Sequence, residues 1–184
     1  MRNNSNKIAL IYDSETGNTE RIAYLIKDNM VDYQVDILYA RDISIAHFTK
    51  YDFFILGTPT WRKGYLAVHW ADFFNDFSRI DFSRKTVALF GVGDQECFNR
   101  TFLDGMGQLA EVVVANRANI IGKWSTKGYY HDFSLADNGD GYFMGLGLDE
   151  SNQAEQTEER VIEWTKQISS ELKAQTLDKV FLLY

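Results

Sequence analysis

Ile8-Ala-Leu-Ile-Tyr-Asp-Ser-Glu-Thr-Gly-Asn-Thr19 holds two kinds of structure side by side. Its first half, residues 8–12, is a continuous apolar run rich in strand formers. That is the pattern of a parallel strand covered on both faces. Its second half, residues 13–19, is polar. Ile22, Ala23, Ile26 and Met30 then recur at helical spacing. A buried strand, a polar turn and an amphipathic helix form the opening unit of an α/β sheet.

The unit repeats outward from there. Residues 35–38 read as a second strand, and residues 51–56 as a third, stopped by Gly57 and Pro59. Residues 66–77 are amphipathic and aromatic, a helix. Residues 86–90 make a fourth strand closed by Gly91-Val-Gly93, residues 102–114 a helix, and residues 119–124 a fifth strand. Residues 125–142 break the rhythm with Gly128, Gly139 and Gly141 among aromatics and acids, and residues 143–148 are apolar again. A last helix over 157–172 carries Val161, Trp164 and Ile168 on one face. The alternation predicts a doubly wound α/β fold, a five-stranded parallel sheet with helices on both faces.

Bulk composition narrows the function classes. A chain of 184 residues with 45% hydrophobic and 24% charged residues is long enough for one core, so residues 1–184 are expected to form a single domain. The formal net charge of −7 argues against a nucleic-acid backbone as partner and favours cationic protein surfaces. One cysteine, Cys97, excludes an intrachain disulfide and most cysteine metal clusters. No apolar run approaches the length of a membrane span, and the first residues are polar. The expectation is a cytoplasmic, monomeric protein with no membrane or nucleic-acid partner. His47, His69 and His131 read as isolated residues, so no metal or triad site is expected.

In doubly wound sheets ligands sit outside the carboxyl ends of the strands, which selects the loops at 13–19, 57–65, 91–99 and 149–153. In Ser14-Glu15-Thr16-Gly17-Asn18-Thr19, three hydroxyls meet the free amides of a helix start, a cradle for phosphate made of neutral donors. It has no Lys or Arg and so fails the nucleotide-hydrolase pattern. A plain helix N-cap accounts for the same residues. The second loop, Gly57-Thr58-Pro59-Thr60-Trp61-Arg62-Lys63-Gly64, contains the only proline and a tryptophan suited to stacking on a planar ligand. Packing of that tryptophan on a neighbouring helix is the alternative. The third, Gly91-Val-Gly93-Asp94-Gln-Glu-Cys97-Phe98, offers close backbone approach, an acceptor in Asp94 and a second aromatic face in Phe98. Glu96 stands where a dinucleotide fingerprint needs glycine. No arginine follows Cys97 at the spacing of a cysteine phosphate loop, so Cys97 reads as an ordinary residue. A phosphate cradle and aromatic loops at one sheet end describe a single elongated ligand, phosphate at one end and flat heteroaromatic at the other. Flavin mononucleotide, FMN, has that form.

These residues resemble the long-chain flavodoxins from Lys7 to about Leu172. The matches are Ser14 to Thr19, Gly57 to Trp61, residues 87–95, Asp104-Gly-Met-Gly107, residues 121–129 and residues 145–153. The resemblance implies a low-potential, one-electron carrier with non-covalently bound FMN, and it makes residues 125–142 an insertion that splits the fifth strand. It implies that Ser14 to Thr19 hold the phosphate, that Trp61 and Phe98 cover the two ring faces, and that Pro59, Thr60, Gly64, Gly93 and Asp94 line the ring. It also implies that Asp149 lies near the ribityl chain, and that the partners are basic proteins such as flavodoxin-reductase-type enzymes. Three departures stand out. Asp13 replaces the usual glycine before the phosphate loop, bringing an extra negative charge near the phosphate if its side chain turns inward. Phe98 stands where tyrosine is general. Arg62-Lys63 follows Trp61, where the resemblance implies a peptide that reorients as the flavin takes up an electron. Two cations beside the ring are expected to stiffen that turn and stabilise the anionic reduced flavin, giving a less strongly reducing carrier. The other reading has both side chains in solvent. Two further function classes stay open: an FMN-dependent NAD(P)H quinone or nitro reductase on the same fold, and a flavin-free interaction domain.

Overall fold

The alternation of strand and helix signals folds as expected, into one sheet whose two faces are both covered. A computed structural model describes residues 6–181. The elements are β1 (Lys7–Tyr12), α1 (Asn18–Asn29), β2 (Gln34–Tyr39), α2 (Ile45–Phe48), β3 (Phe53–Trp61), β4 (Tyr65–Leu66), α3 (Val68–Phe77), β5 (Thr86–Gly93), α4 (Asp104–Ala115), β6 (Asn119–Ile121), β7 (Trp124–Ser125), β8 (Tyr142–Phe143), β9 (Leu146–Asp149) and α5 (Thr157–Phe181). The strands run β2-β1-β3-β5-β6 and are parallel.

Period-2 alternation explains why these strands read as unbroken apolar runs. Ala9, Ile11, Phe54, Leu56, Val87 and Leu89 point to one face, against Trp70 and Phe77 of α3 and Met106 and Val113 of α4. Ile8, Leu10, Phe53, Ile55, Ala88 and Phe90 point to the other, against Ile22 and Ile26 of α1 and Val161, Trp164 and Ile168 of α5. Each fully buried side chain of this size contributes roughly 1.5–3 kcal/mol. Both faces therefore demand apolar residues, and no polar alternation survives.

The fifth strand position is split as the resemblance implied. β6 pairs with Thr86–Ala88 of β5, and β9 pairs with Phe90–Gly93 further along the same strand. Between them the chain leaves the sheet and folds back through the antiparallel pair β7–β8. Tyr129 anchors this insertion. Its hydroxyl donates to Gly147 O at 2.6 Å, and burial pushes its pKa up to about 12.

Several boundaries differ from expectation, and each has a cause. β3 does not stop at Gly57 and Pro59 but runs to Trp61. Gly57 O accepts Asp13 N at 3.1 Å, so Gly57 faces β1. Pro59, two residues on, faces the same side, beyond the last β1 pairing at Tyr12, where the missing N–H deprives nothing of a partner. β5 runs through Gly91 to Gly93 because both neighbours still pair there. A Cβ on Gly91 would stand 2.9 Å from Cβ of Met106, so glycine permits the close approach of α4. The fifth strand ends at Ile121 rather than at residue 124, since Trp124 belongs to the insertion. α3 begins at Val68 and α4 at Asp104, each later than periodicity suggested, and α5 continues past residue 172 to Phe181. The histidines are not isolated. Nδ1 of His69 lies 3.0 Å from Asp13 Oδ1, Nε2 of His131 lies 3.0 Å from Asp137 Oδ2, and Nδ1 of His47 accepts Ser44 N at 3.1 Å.

Candidate functional site

The turn after β1 is built by its acids as much as by its hydroxyls. The Asp13 carboxylate is fully buried and accepts N–H of Ser14 at 2.9 Å, of His69 at 2.9 Å and of Trp70 at 3.3 Å. It is therefore engaged by α3 rather than lying free beside the loop. Glu15 does the same one residue earlier on that helix, accepting Val68 N at 3.3 Å. Ser14 Oγ accepts Gly17 N at 3.1 Å and Glu20 N at 3.4 Å. Gly17 holds φ of 91°, a left-handed conformation that glycine adopts without steric cost, and this lets α1 start at once. Among the described residues, the N–H groups of Thr16, Asn18 and Thr19 meet no protein acceptor. Thr16 and Asn18 are exposed, whereas Thr19 is buried on the inner side of α1. The open donors of this loop include backbone N–H groups.

From this loop a cleft of about 300 Å³ extends between the ends of β3 and β5. Pro59, Thr60, Trp61 and Arg62 form one wall, Gly93, Asp94 and Phe98 the other. Trp61 is 37% exposed and Phe98 40%, while Trp70 and Trp164 of the same chain are wholly buried. Trp61 is therefore not a buried core residue. The segment around Trp61 is a hairpin rather than a loop, with Thr60 opposite Leu66 and Trp61 opposite Tyr65. Arg62 sits in its turn at φ of 50°. The hairpin is fixed from behind by α4: Gly105 N donates to Thr60 Oγ1 at 3.1 Å, and Gln108 Nε2 to Gly64 O at 2.7 Å. Arg62 borders the cleft. Lys63, on the exposed turn, and Gly64 do not, so the two cations expected beside a ring are separated.

Asp94 and Asp149 hold the opposite wall. Asp94 Oδ1 accepts Glu96 N at 3.1 Å, Cys97 N at 2.8 Å and Asn152 Nδ2 at 3.0 Å. Partial burial opposes its ionisation, but the bonds from Cys97 and Asn152 outweigh it and hold the carboxyl below the usual range. The same carboxylate, through its hydrogen bond and its charge, pushes the Cys97 thiol up, away from nucleophilic use. Asp149 is fully buried and does not border the cleft. It accepts Gln95 N at 3.1 Å, and Ser151 N and Asn152 N at 3.0 Å each, so it ties the turn at 94–97 to the turn at 149–153. Glu150 and Ser151 stand at the cleft in its place. Glu150 takes hydrogen bonds from Arg21 and from the Thr157 hydroxyl. Motif reading missed Asn152, Glu150, Ser151, Thr101 and Phe102. The first three lie inside a loop that the strand-end rule selects, and nothing local marks the other two. Among the described residues no group of three His, Cys, Asp or Glu is arranged to hold a metal ion, and no helix is long and apolar enough to cross a membrane.

A sequence model of the family described as Flavodoxin matches residues 10–164. The chain belongs to the flavodoxin family. The flavodoxin of Buchnera aphidicola is 45% identical to it over 88% of this chain and 95% of that protein. Flavodoxin 1 of Escherichia coli strain K12 is 40% identical over 89% of this chain and 93% of that protein. Among solved structures, Fusobacterium nucleatum flavodoxin bound to flavin mononucleotide is similar, with a TM-score of 0.85, 28% identity, and coverage of 90% of this chain and 98% of that one.

Proposed function

We propose that this flavodoxin-family chain binds FMN non-covalently in the cleft and works as a low-potential, one-electron carrier between a reductase and acceptor enzymes. One observation carries the reading: a single cleft joins unclaimed N–H donors at a helix start to two exposed aromatic rings on facing walls. The residues fit the cofactor. Neutral donors at the positive end of α1 suit a phosphate dianion, and Trp61 and Phe98 suit the two faces of a flat ring. When bound, the flavin supplies the redox chemistry, and the protein supplies binding and electrostatics. Residues Ser14 to Thr19 take the phosphate through the N–H groups of Thr16, Asn18 and Thr19. Pro59, Thr60, Gly93 and Asp94 line the ring, and the ionised Asp94 disfavours added negative charge there. Asp149 acts at one remove, by holding the two turns that form the wall. Both apolar clusters share the one sheet, which supports reading residues 1–184 as one domain. The net charge of −7 supports partners with basic docking faces.

A visible spectrum of the purified protein, followed through stepwise anaerobic reduction, tests the reading. A flavin spectrum that titrates in two separate one-electron steps is expected. A flavin reduced in one two-electron step, with rapid NAD(P)H oxidation by the protein alone, would replace the carrier by a reductase. A protein that takes up no added FMN would overturn both.

A further inference from the structure

The phosphate loop carries negative charge that its own donors do not offset. Asp13, Glu15 and Glu20 lie in or next to it, and residues 13–20 contain no lysine or arginine. A free carboxylate at the base of the loop would repel a bound phosphate and compete for its N–H donors. Asp13 is not free. Beyond Ser14 N, its donors are the His69 and Trp70 backbone N–H groups at 2.9 and 3.3 Å, with the His69 ring Nδ1 at 3.0 Å. Those two backbone groups are among the ones a helix start leaves unsatisfied, and the carboxylate meets them at the positive end of α3. The imidazole also packs on Tyr39, ring centroids 5.1 Å apart, and the Tyr39 hydroxyl reaches Ser14 O at 3.4 Å. His69 thus contacts both side chains that hold the Ser14 backbone, Asp13 on its N–H and Tyr39 on its carbonyl.

We propose that Asp13 and His69 form a positioning pair. His69 holds the Asp13 carboxylate on α3, which fixes the Ser14 peptide in its phosphate-binding shape and keeps the carboxylate from the N–H groups of Thr16, Asn18 and Thr19. The proposal rests on the FMN reading above. Without the imidazole, Oδ1 loses a side-chain donor, and the carboxylate keeps the Ser14 N–H and the Tyr39 hydroxyl on this side. A buried carboxylate short of a donor turns to the nearest N–H groups, and those belong to the phosphate loop. The effect is confined to the phosphate end, because His69 does not border the ring cleft.

The test titrates full-length apoprotein with FMN and with riboflavin, which lacks the phosphate, following quenching of flavin fluorescence. His69→Ala is expected to bind FMN about tenfold more weakly while its riboflavin affinity stays within about twofold of wild type. His69→Asn, whose amide N–H stands near the place of Nδ1, restores FMN affinity to within about threefold. His69→Phe keeps the packing on Tyr39 without a donor and shows the same FMN-selective loss, so it carries the test if the alanine variant does not fold. Equal losses for both flavins, an unchanged or tighter FMN affinity, or failure of asparagine to rescue overturns the pair. A wild-type protein that binds neither flavin instead overturns the FMN reading itself.

Discussion

The two ends of the cleft each involve a tryptophan, and the chain treats the two in opposite ways. Trp70 lies beneath the phosphate end, wholly buried, donating from Nε1 to Gly57 O at 3.0 Å and from its backbone toward Asp13. Trp61 lies at the ring end on a hairpin, with more than a third of its surface open. At the phosphate end, carboxylates tie the loop to α3. The ring end is a pair of aromatic walls held from behind by α4 and by the Asp149 clasp. One end is part of the core, and the other is a surface supported by the core.

Exchanging each tryptophan for alanine should break this comparison most sharply. Trp70→Ala is expected to cost about 3–5 kcal/mol of folding stability, read as a lowered midpoint of urea unfolding with an unchanged slope. Trp61→Ala should leave the unfolding midpoint of the apoprotein nearly in place while weakening FMN by about 2 kcal/mol, or some thirtyfold, in a fluorescence titration. If Trp61→Ala destabilises the apoprotein as much as Trp70→Ala, the distinction between core and supported surface is wrong.

Smaller effects sharpen the account of the ring wall. The folded-state pKa of Asp94 is depressed, so its stabilisation is fully present above the unfolded value near 4 and is lost as pH falls through the lower folded value. Asp94→Asn should therefore be less stable than wild type by about 1 kcal/mol at pH 7, and the gap should narrow below about pH 4. A gap independent of pH would remove the charge from the explanation. The turn cations give the smallest effect. Arg62→Ala is expected to lower the midpoint of the second electron by roughly 20 mV, about 0.5 kcal/mol of screened attraction. Lys63→Ala, away from the cleft, should leave it unchanged. Equal shifts from both would place Lys63 beside the ring as well.

Legibility in the sequence followed the range of the forces involved. The strands of the core, the helices and the strand-end loops were readable because burial on two faces writes a continuous apolar run and burial on one face writes a helical period. Gly57, Pro59 and Gly91 misled because they are local stop signals, overridden where neighbouring strands and α4 supply the pairing and the close approach. The site divides in the same way. Residue type and loop position pointed to Thr16, Asn18, Trp61, Asp94 and Phe98, which border the cleft. The bonds by which Asp149 ties two turns together were not legible, and His69 was read as solitary because its partner lies 56 positions earlier in the chain.

The sequence alone determined the α/β alternation, the strand ends at which the cleft opens, and the residue types suited to a phosphate and a flat ring. Each depends on periodicity or side-chain chemistry within a few residues. Only the tertiary structure decided which carboxylates are available. Asp13 and Asp149 are buried and fully engaged, Asp94 is a partly buried turn cap, and Arg62 borders the cleft while Lys63 does not. The charge of a carboxylate is set by its type, but its reach is set by donors that arrive from distant segments, and the fold alone brings those together.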